Sequence, residues 1–508
     1  MILPKAERAD IALLLEGTYP YVSGGVSSWV HQIIRAFPEF SFALVFVGSR
    51  PQDYGEPRYS LPPNVVHAEA HYLHAPRKAP DIRPIGGDAS MFDQVERLHQ
   101  YFRAPTAHAA DAGLLPQLAA ELNGRLTPEQ FLYSEKAWDF IRSNYRQYCT
   151  DPSFVDYFWT VRTMHAPIWV LAGICDQLIP VRAYHSVSTG YAGFLGALLK
   201  GRHARPLILS EHGIYTKERK IDLFSAQWIT DNRSLFQRDV TEISYFRSMW
   251  IRFFEALGRA CYDAADDIVA LYETNRLRQI ADGAAPERTR NIPNGINVAA
   301  FAPLRQTRPA VPPPVLCLIG RVVPIKDVKT FVRAMRTVVN RLPQAQGWIA
   351  GPEEEDQAYA AECRALVHNL GLEGSVKFLG FQKLTELLPK VGLVVLSSIS
   401  EALPLVLLEG YAAGVPAVCT NVGSCMQLVY GGEADDRALG PSGRVVGIAD
   451  PRALAEAALE LLASEAAWNA AAQAGIRRVE AYYSQERMIG SYREIYARAL
   501  ALPLPQAA

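Results

Sequence analysis

The chain has 508 residues, of which 49% are hydrophobic and 20% charged, and its 51 basic and 52 acidic side chains leave a formal net charge of −1. That length exceeds one compact α/β core and asks for two domains with insertions. The balanced charge excludes a global field for nucleic acid or an anionic membrane, so any charge that binds phosphate must be local.

The apolar run Ile11–Leu15 is too short for a signal peptide, and no stretch approaches about 18 uninterrupted apolar residues. Pro167–Pro180 comes nearest, but its length and Asp176 predict a buried helix. The cysteines at 149, 175, 261, 317, 363, 419 and 425 show no CxxC spacing. They read as reduced, buried thiols of a cytoplasmic protein without a disulfide frame or zinc site.

Ile11–Glu16 predicts a buried strand, followed by a glycine-containing loop, Gly17–Gly25. Val26, Trp29, Val30, Ile33, Ile34 and Phe37 then form an amphipathic helical stripe, and Phe42–Val47 a second strand. This βαβ opening implies a parallel sheet. Residues 76–152 read as an insertion of helices and loops. Alternation resumes with a strand ending at Ala183–His185, a helix over Tyr191–Lys200, and a strand over Pro206–Ser210 that runs into Glu211-His212-Gly213. A second insertion, 216–254, precedes short strands at Ile268–Leu271 and Thr289–Ile292.

The proline-rich segment Pro303–Pro314 reads as a linker. Beyond it, strands at Val315–Ile319, Gly347–Ala350, Val376–Leu379, Leu393–Leu396 and Ala417–Thr420 alternate with helices at Val328–Arg341, Tyr359–Leu370 and Leu407–Ala413. The expectation is an α/β protein of two Rossmann-like, doubly wound domains facing across a cleft. Residues 1–305 form the N-terminal domain with its helical insertions and 306–480 the C-terminal domain. Residues 481–508 form a C-terminal helix whose apolar stripe suits packing on either domain, the N-terminal one included. Ligands of open α/β sheets bind at the carboxyl ends of strands.

Gly320-Arg321 follows a strand directly and Lys326 stands five residues on; two cations at a sheet's carboxyl edge suit a diphosphate leaving group. Glu401 and Glu409 form an E-x7-E pattern, with Glu401 in a strand-to-helix loop and Glu409 in the following, largely apolar helix. That helix start offers free N–H groups and a positive dipole end to phosphate. In the N-terminal domain Gly24-Gly25 opens the first helix, where bare backbone can approach a ligand. His212 ends a strand at the same edge, and His185 is a weaker candidate of the same kind. Lys217 and Arg219 could touch an anionic acceptor, but read first as surface charges.

Gly320-Arg321, Lys326 and E-x7-E, in this order on a second Rossmann-like domain, resemble the family 4 retaining glycosyltransferases of the GT-B fold. Ile292-Pro293-Asn294-Gly295-Ile296 is similar to that family's interdomain motif. The opening EGTYPYVSGGVSSWV and the segment SEHGIYTKERK resemble its cytoplasmic members in bacterial Pel exopolysaccharide synthesis. The resemblance implies that Arg321 and Lys326 bind the diphosphate of a UDP-sugar donor, helped by the Leu405 and Val406 N–H groups. It implies that Glu409 holds the ribose, that Glu401 and His212 face the donor sugar, and that Gly24-Gly25 line the acceptor side. Phe381, ending a strand of the donor domain, is expected near the base. Two positions depart from the family pattern: Pro404, where many members have glycine, and Asn297, where Asp is frequent.

No D-x-D triplet occurs, so no bound metal and no cofactor beyond the UDP-sugar are expected, with UDP as product. The implied partners are a polysaccharide or sugar acceptor and membrane-embedded synthesis and export proteins, which would recruit the chain to the inner face of the membrane. A sugar-nucleotide epimerase of the same fold, or a non-catalytic nucleotide-binding subunit, are the rival readings.

Overall fold

The computed structural model describes residues 3–74, 85–86, 89–105, 126–234, 242–309 and 311–501. They form two compact units. The first takes the described residues up to Ala270, Asn275–Asn291 and those from Arg493 on; the second takes Leu271–Thr274 and Ile292–Tyr492.

Seven parallel strands build the first unit: β1 (Ala9–Glu16), β2 (Phe42–Gly48), β3 (Val65–Tyr72), β4 (Val181–Ser186), β5 (Leu207–Glu211), β6 (Asp267–Ala270) and β7 (Thr289–Asn291). Their order is β3-β2-β1-β4-β5-β6-β7. Central β1 is covered on both faces, which is why it is written as the continuous apolar run IALLL rather than an alternation. Leu13 pairs with Leu44 of β2 on one side and His185 of β4 on the other. The order reverses between β1 and β4, the point where loops diverge and leave room for a ligand.

The second unit repeats the plan with β8 (Val315–Ile319), β9 (Gln346–Ala350), β10 (Val376–Gly380), β11 (Leu393–Leu396), β12 (Ala417–Thr420) and β13 (Gly443–Val446). All are parallel, in the order β10-β9-β8-β11-β12-β13. Here the reversal falls between β8 and β11.

The first insertion supplies helices Ala89–Arg103, Pro128–Tyr133 and Glu135–Tyr148; its residues 76–84, 87–88 and 106–125 lie outside the described residues, as do 235–241 of the second. The apolar segment at Pro167 is the buried part of the helix Phe154–Gln177, with Ile168, Leu171 and Ile174 almost fully enclosed. Among the described residues no helix is long and apolar enough to cross a membrane. All seven cysteines are free thiols.

The chain divides between Asn291 and Ile292, ahead of the proline-rich segment expected to act as a linker. That segment is instead fastened to the second unit. Arg305 donates to the Ala412 carbonyl at 2.7 Å, and Arg308 to those of Leu388 and Val391 at 2.9 and 2.8 Å. The helix Gln485–Ala499 passes into the first unit at Arg493, where Tyr496 packs edge-on against Phe37 at 5.1 Å.

Candidate active site

In the second unit β8 and β11 are neighbours, so the loops leaving their carboxyl ends run side by side. A Cβ on Gly351 would lie 1.9 Å from the Gly320 carbonyl oxygen, so only glycine allows the loops after β8 and β9 to press together. Gly423, at φ +52, passes so close to Glu401 that a Cβ there would meet its carbonyl oxygen at 2.2 Å.

Lys326 closes a short 3-10 turn, and Asp327, left-handed at φ 44, caps the helix Val328–Arg341 by accepting from the Thr330 N–H. At the end of β11 the Ser397 hydroxyl donates to the carbonyls of Lys326 and Asp327 at 2.9 and 3.0 Å. The Ile399 N–H donates to the Ile325 carbonyl at 2.8 Å. These bonds fix the two loops so that Lys326 Nζ meets Glu401 Oε1 at 2.5 Å, and the Ser398 hydroxyl donates to the same oxygen at 2.6 Å. Both partners of the ion pair are largely shielded from solvent.

Arg321 is paired differently. Its guanidinium lies 2.6 Å from both oxygens of Glu355, with both side chains about half exposed. An exposed pair of this kind contributes roughly 0–1 kcal/mol, so a polyanion displaces the glutamate at little cost.

Pro404 opens the helix Leu405–Ala412 without a side-chain cap, so the N–H groups of Leu405 and Val406 form its bare tip. Glu409 lies within that helix, and burial raises its carboxyl to about 7. Phe381 follows the edge strand β10 and is 80% exposed. Lys326 and Glu401 are thus in contact. Arg321, Leu405, Val406, Glu409 and Phe381 stand on loops and a helix of the same sheet.

The first unit holds a cavity of about 660 Å³ at the carboxyl ends of its strands, with Glu16, Gly48, Ser188 and His212 in its wall. His212 is buried edge-on against Trp29, ring centroids 4.5 Å apart, and its Nε2 has no hydrogen-bond partner among the described residues. Burial lowers its pKa to about 4, so the ring is neutral near pH 7. His185 is the opposite case. Its Nδ1 contacts the Tyr496 hydroxyl and its Nε2 the Ser210 hydroxyl, each at 2.8 Å, a fully satisfied structural histidine.

Gly24 and Gly25 sit at the start of the helix Gly25–Ala36, both exposed, and a Cβ on either would meet nothing within 4 Å. The fold itself therefore does not require glycine at these two positions.

Sequence reasoning passed over two side chains in this region, Glu211 and Glu16, and placed a third, Arg219, at the surface. Glu211 is buried and accepts from the hydroxyls of Thr189 and Tyr262, the Gln279 amide and the Tyr215 N–H. Burial raises its pKa despite those four bonds. Glu16 accepts from the Tyr215 hydroxyl at 2.7 Å and from the Ala192 N–H at 3.1 Å. Arg219, expected to be a surface charge, donates to that hydroxyl at 3.0 Å and lies over the rings of Tyr215 and Phe254. It belongs to the cavity wall, whereas Lys217 is exposed. The signal for Glu16 was a carboxylate ending the apolar run Ile11–Leu15.

With this geometry in hand, comparison with known proteins decides the family. Residues 9–287 match the family described as "Domain of unknown function (DUF3492)". The chain belongs to this family. Residues 304–478 match "Glycosyl transferases group 1", and Arg321, Lys326, Glu401 and Glu409 all fall within that match. An exopolysaccharide phosphotransferase of Streptomyces coelicolor is 34% identical over 209 residues, 40% of this chain and 20% of that protein. The lipopolysaccharide core biosynthesis glycosyltransferase LpsE of Rhizobium meliloti is 30% identical over 185 residues, 36% and 50% of the two chains. The chain thus spans half or less of the length of these two relatives. Similar solved structures include Anabaena HepE in complex with UDP, with a TM-score of 0.57, 15% identity, and 96% and 100% of the two chains covered. Sucrose-phosphate synthase from Thermosynechococcus elongatus has a TM-score of 0.55, 18% identity, and coverage of 97% and 99%. These likenesses identify the architecture as GT-B.

Proposed function

We propose that this protein is a retaining, metal-independent glycosyltransferase that moves a hexose or N-acetylhexosamine from a UDP-sugar to a growing exopolysaccharide of the Pel type. The observation that carries the reading is the contact of Lys326 with Glu401, where the loops after β8 and β11 meet at the switch point of the second sheet. Cations and helix dipole together offset the charge that grows on a departing diphosphate, which is the stabilisation that such a reaction needs. UDP as the nucleotide follows from the sequence resemblance, and Anabaena HepE, of the same fold, was solved with it.

In this reading Arg321 and Lys326 grip the pyrophosphate together with the N–H groups of Leu405 and Val406. Glu409 accepts hydrogen bonds from the ribose hydroxyls, and Glu401 faces the donor sugar. The C1–O bond breaks toward the diphosphate, and the acceptor hydroxyl attacks the same face, its proton passing to the leaving phosphate. Neutral His212 hydrogen-bonds a sugar hydroxyl through Nε2. Arg321, Lys326 and the helix tip take the part that a metal ion holds elsewhere. The protein acts in the cytoplasm, recruited by membrane-embedded synthesis and export proteins.

Release of UDP from UDP-sugars by the purified protein, with and without acceptor, tests the proposal. Arg321→Ala and Lys326→Ala are expected to slow release strongly. Near-normal release by both variants overturns the assignment, and the anomeric configuration of the product tests retention.

A further inference from the structure

The cavity of the first unit continues beyond its polar wall. Its lining includes Thr163 and Trp228. Thr163 is the third member of a row, Val155, Trp159 and Thr163, spaced four apart along the helix Phe154–Gln177 and so sharing one face. Val155 is 63% exposed, Trp159 57% and Trp228 66%.

Neighbours hold these rings in place. Trp228 meets Trp250 edge-on at 5.7 Å. Its segment is tied to the same helix, because the Thr230 hydroxyl and the Asn232 amide donate to Asp156 at 3.3 and 2.7 Å. Trp159 stands edge-on to Phe158 at 5.5 Å, and the Arg162 guanidinium lies 5.2 Å from its ring centre. Ordered aromatic rings that remain exposed, in a row that begins in a cavity, mark a contact surface.

The surface chemistry selects the occupant. A pyranose presents an apolar C–H face and a rim of hydroxyls, so it can stack on an indole while its rim stays in water or bonds polar neighbours. Asp156, Thr160 and Thr163 are interleaved with Val155 and Trp159, which suits such a ligand and breaks up the apolar surface that a lipid layer requires. The row extends about 12 Å at the helical rise, longer than one sugar ring.

We infer that Trp228 and the Val155–Trp159–Thr163 face form a track for a saccharide chain leaving the cavity, so that the acceptor is an oligosaccharide held over several units. The inference rests on the proposed transferase reading. Its test is titration calorimetry of the full chain with cellobiose against cellohexaose and chitobiose against chitohexaose. In at least one series the hexamer is expected to bind about tenfold more tightly than the dimer. Trp159→Ala should remove that gap while leaving dimer affinity and acceptor-free UDP release unchanged, and Trp159→Phe should restore most of it. Equal binding of dimer and hexamer in both series overturns the track, as does a Trp159→Ala loss that is equal for both lengths. Trp159-dependent binding to phosphatidylglycerol vesicles without a saccharide effect also overturns it. Absence of UDP release by the wild-type protein defeats the transferase reading instead, whatever the calorimetry shows.

Discussion

Lys326 Nζ stands 2.5 Å from Glu401 Oε1, so the lysine proposed to grip pyrophosphate is already paired with the carboxylate proposed to face the sugar. The pair joins the loops after β8 and β11, the two strands that flank the switch point. An arriving diphosphate must share Lys326 with Glu401, and the two substitutions therefore have different effects. Lys326→Ala leaves Glu401 with the Ser398 hydroxyl and removes a cation from the leaving group. It should weaken UDP binding and slow transfer, together costing about 3 kcal/mol. Glu401→Gln releases the lysine, so UDP affinity is expected to hold or rise while transfer slows about a hundredfold. Calorimetry with UDP beside UDP-release kinetics separates them; equal loss of UDP affinity in both variants sinks the shared-lysine account.

Glu409 supplies a pH signature. Burial raises its carboxyl from 4.5 to about 7, which favours the protonated form in the folded protein. This favourable contribution is full below pH 4.5 and is lost as pH rises through about 7. Glu409→Gln should thus be more stable than wild type above pH 7, by about 3 kcal/mol, and the gap should close in acid. Ribose hydroxyls donate to the ionised carboxylate, so UDP-glucose affinity should increase from pH 6 to 8 in wild type and stay flat in the variant. Flat wild-type affinity would show that Glu409 does not meet the ribose.

How far the sequence could carry this depended on where each residue ends up. VLCLI and LVVL are uninterrupted apolar runs, and AVCT is one up to its last residue, because β8, β11 and β12 are covered on both faces, and their limits were legible. The two strands that escaped, β3 and β13, are both sheet edges. VVHAEAHY mixes histidine and glutamate into its apolar pattern, and GRVV is four residues opening on glycine. In the proposed donor site the motif spacing singled out Lys326 and Glu401, but not their contact, which depends on two loops meeting in space. Glu211 was hidden for a related reason. Its bonding partners Tyr262 and Gln279 lie far along the chain, on separate helices.

The two histidines at the edge of the first sheet should respond in opposite ways. His185 bridges Tyr496 and Ser210, so His185→Ala removes two buried hydrogen bonds and is expected to cost about 2 kcal/mol of stability. The Nε2 of His212 has no hydrogen-bond partner among the described residues, and removal of the ring should leave stability within about 1 kcal/mol while lowering transfer at least tenfold. Asn or Gln at position 212 should recover part of the rate by supplying a neutral donor. Denaturant melts and UDP-release assays on the same preparations check both. A His212→Ala variant that melts early yet transfers normally reverses the assignment.

Arg478 is fully buried in the helix Glu465–Tyr482 and binds Asp436 at 2.6 Å. It also donates to the carbonyls of Val429, Asp436 and Gly440 and to the Ser442 hydroxyl, all in the segment leading to edge strand β13. A charge is tolerated there because every donor direction meets an acceptor, and removing it abandons the carboxylate of Asp436 in the interior. Arg478→Ala should therefore cost about 3–5 kcal/mol in urea unfolding, whereas Arg478→Lys retains the charge but loses the fork and falls between. None of its partners belongs to the proposed donor site, so the folded fraction should bind UDP as wild type does. A stability loss below about 1 kcal/mol would mean that β13 is anchored by its ladder with β12 rather than by this arginine.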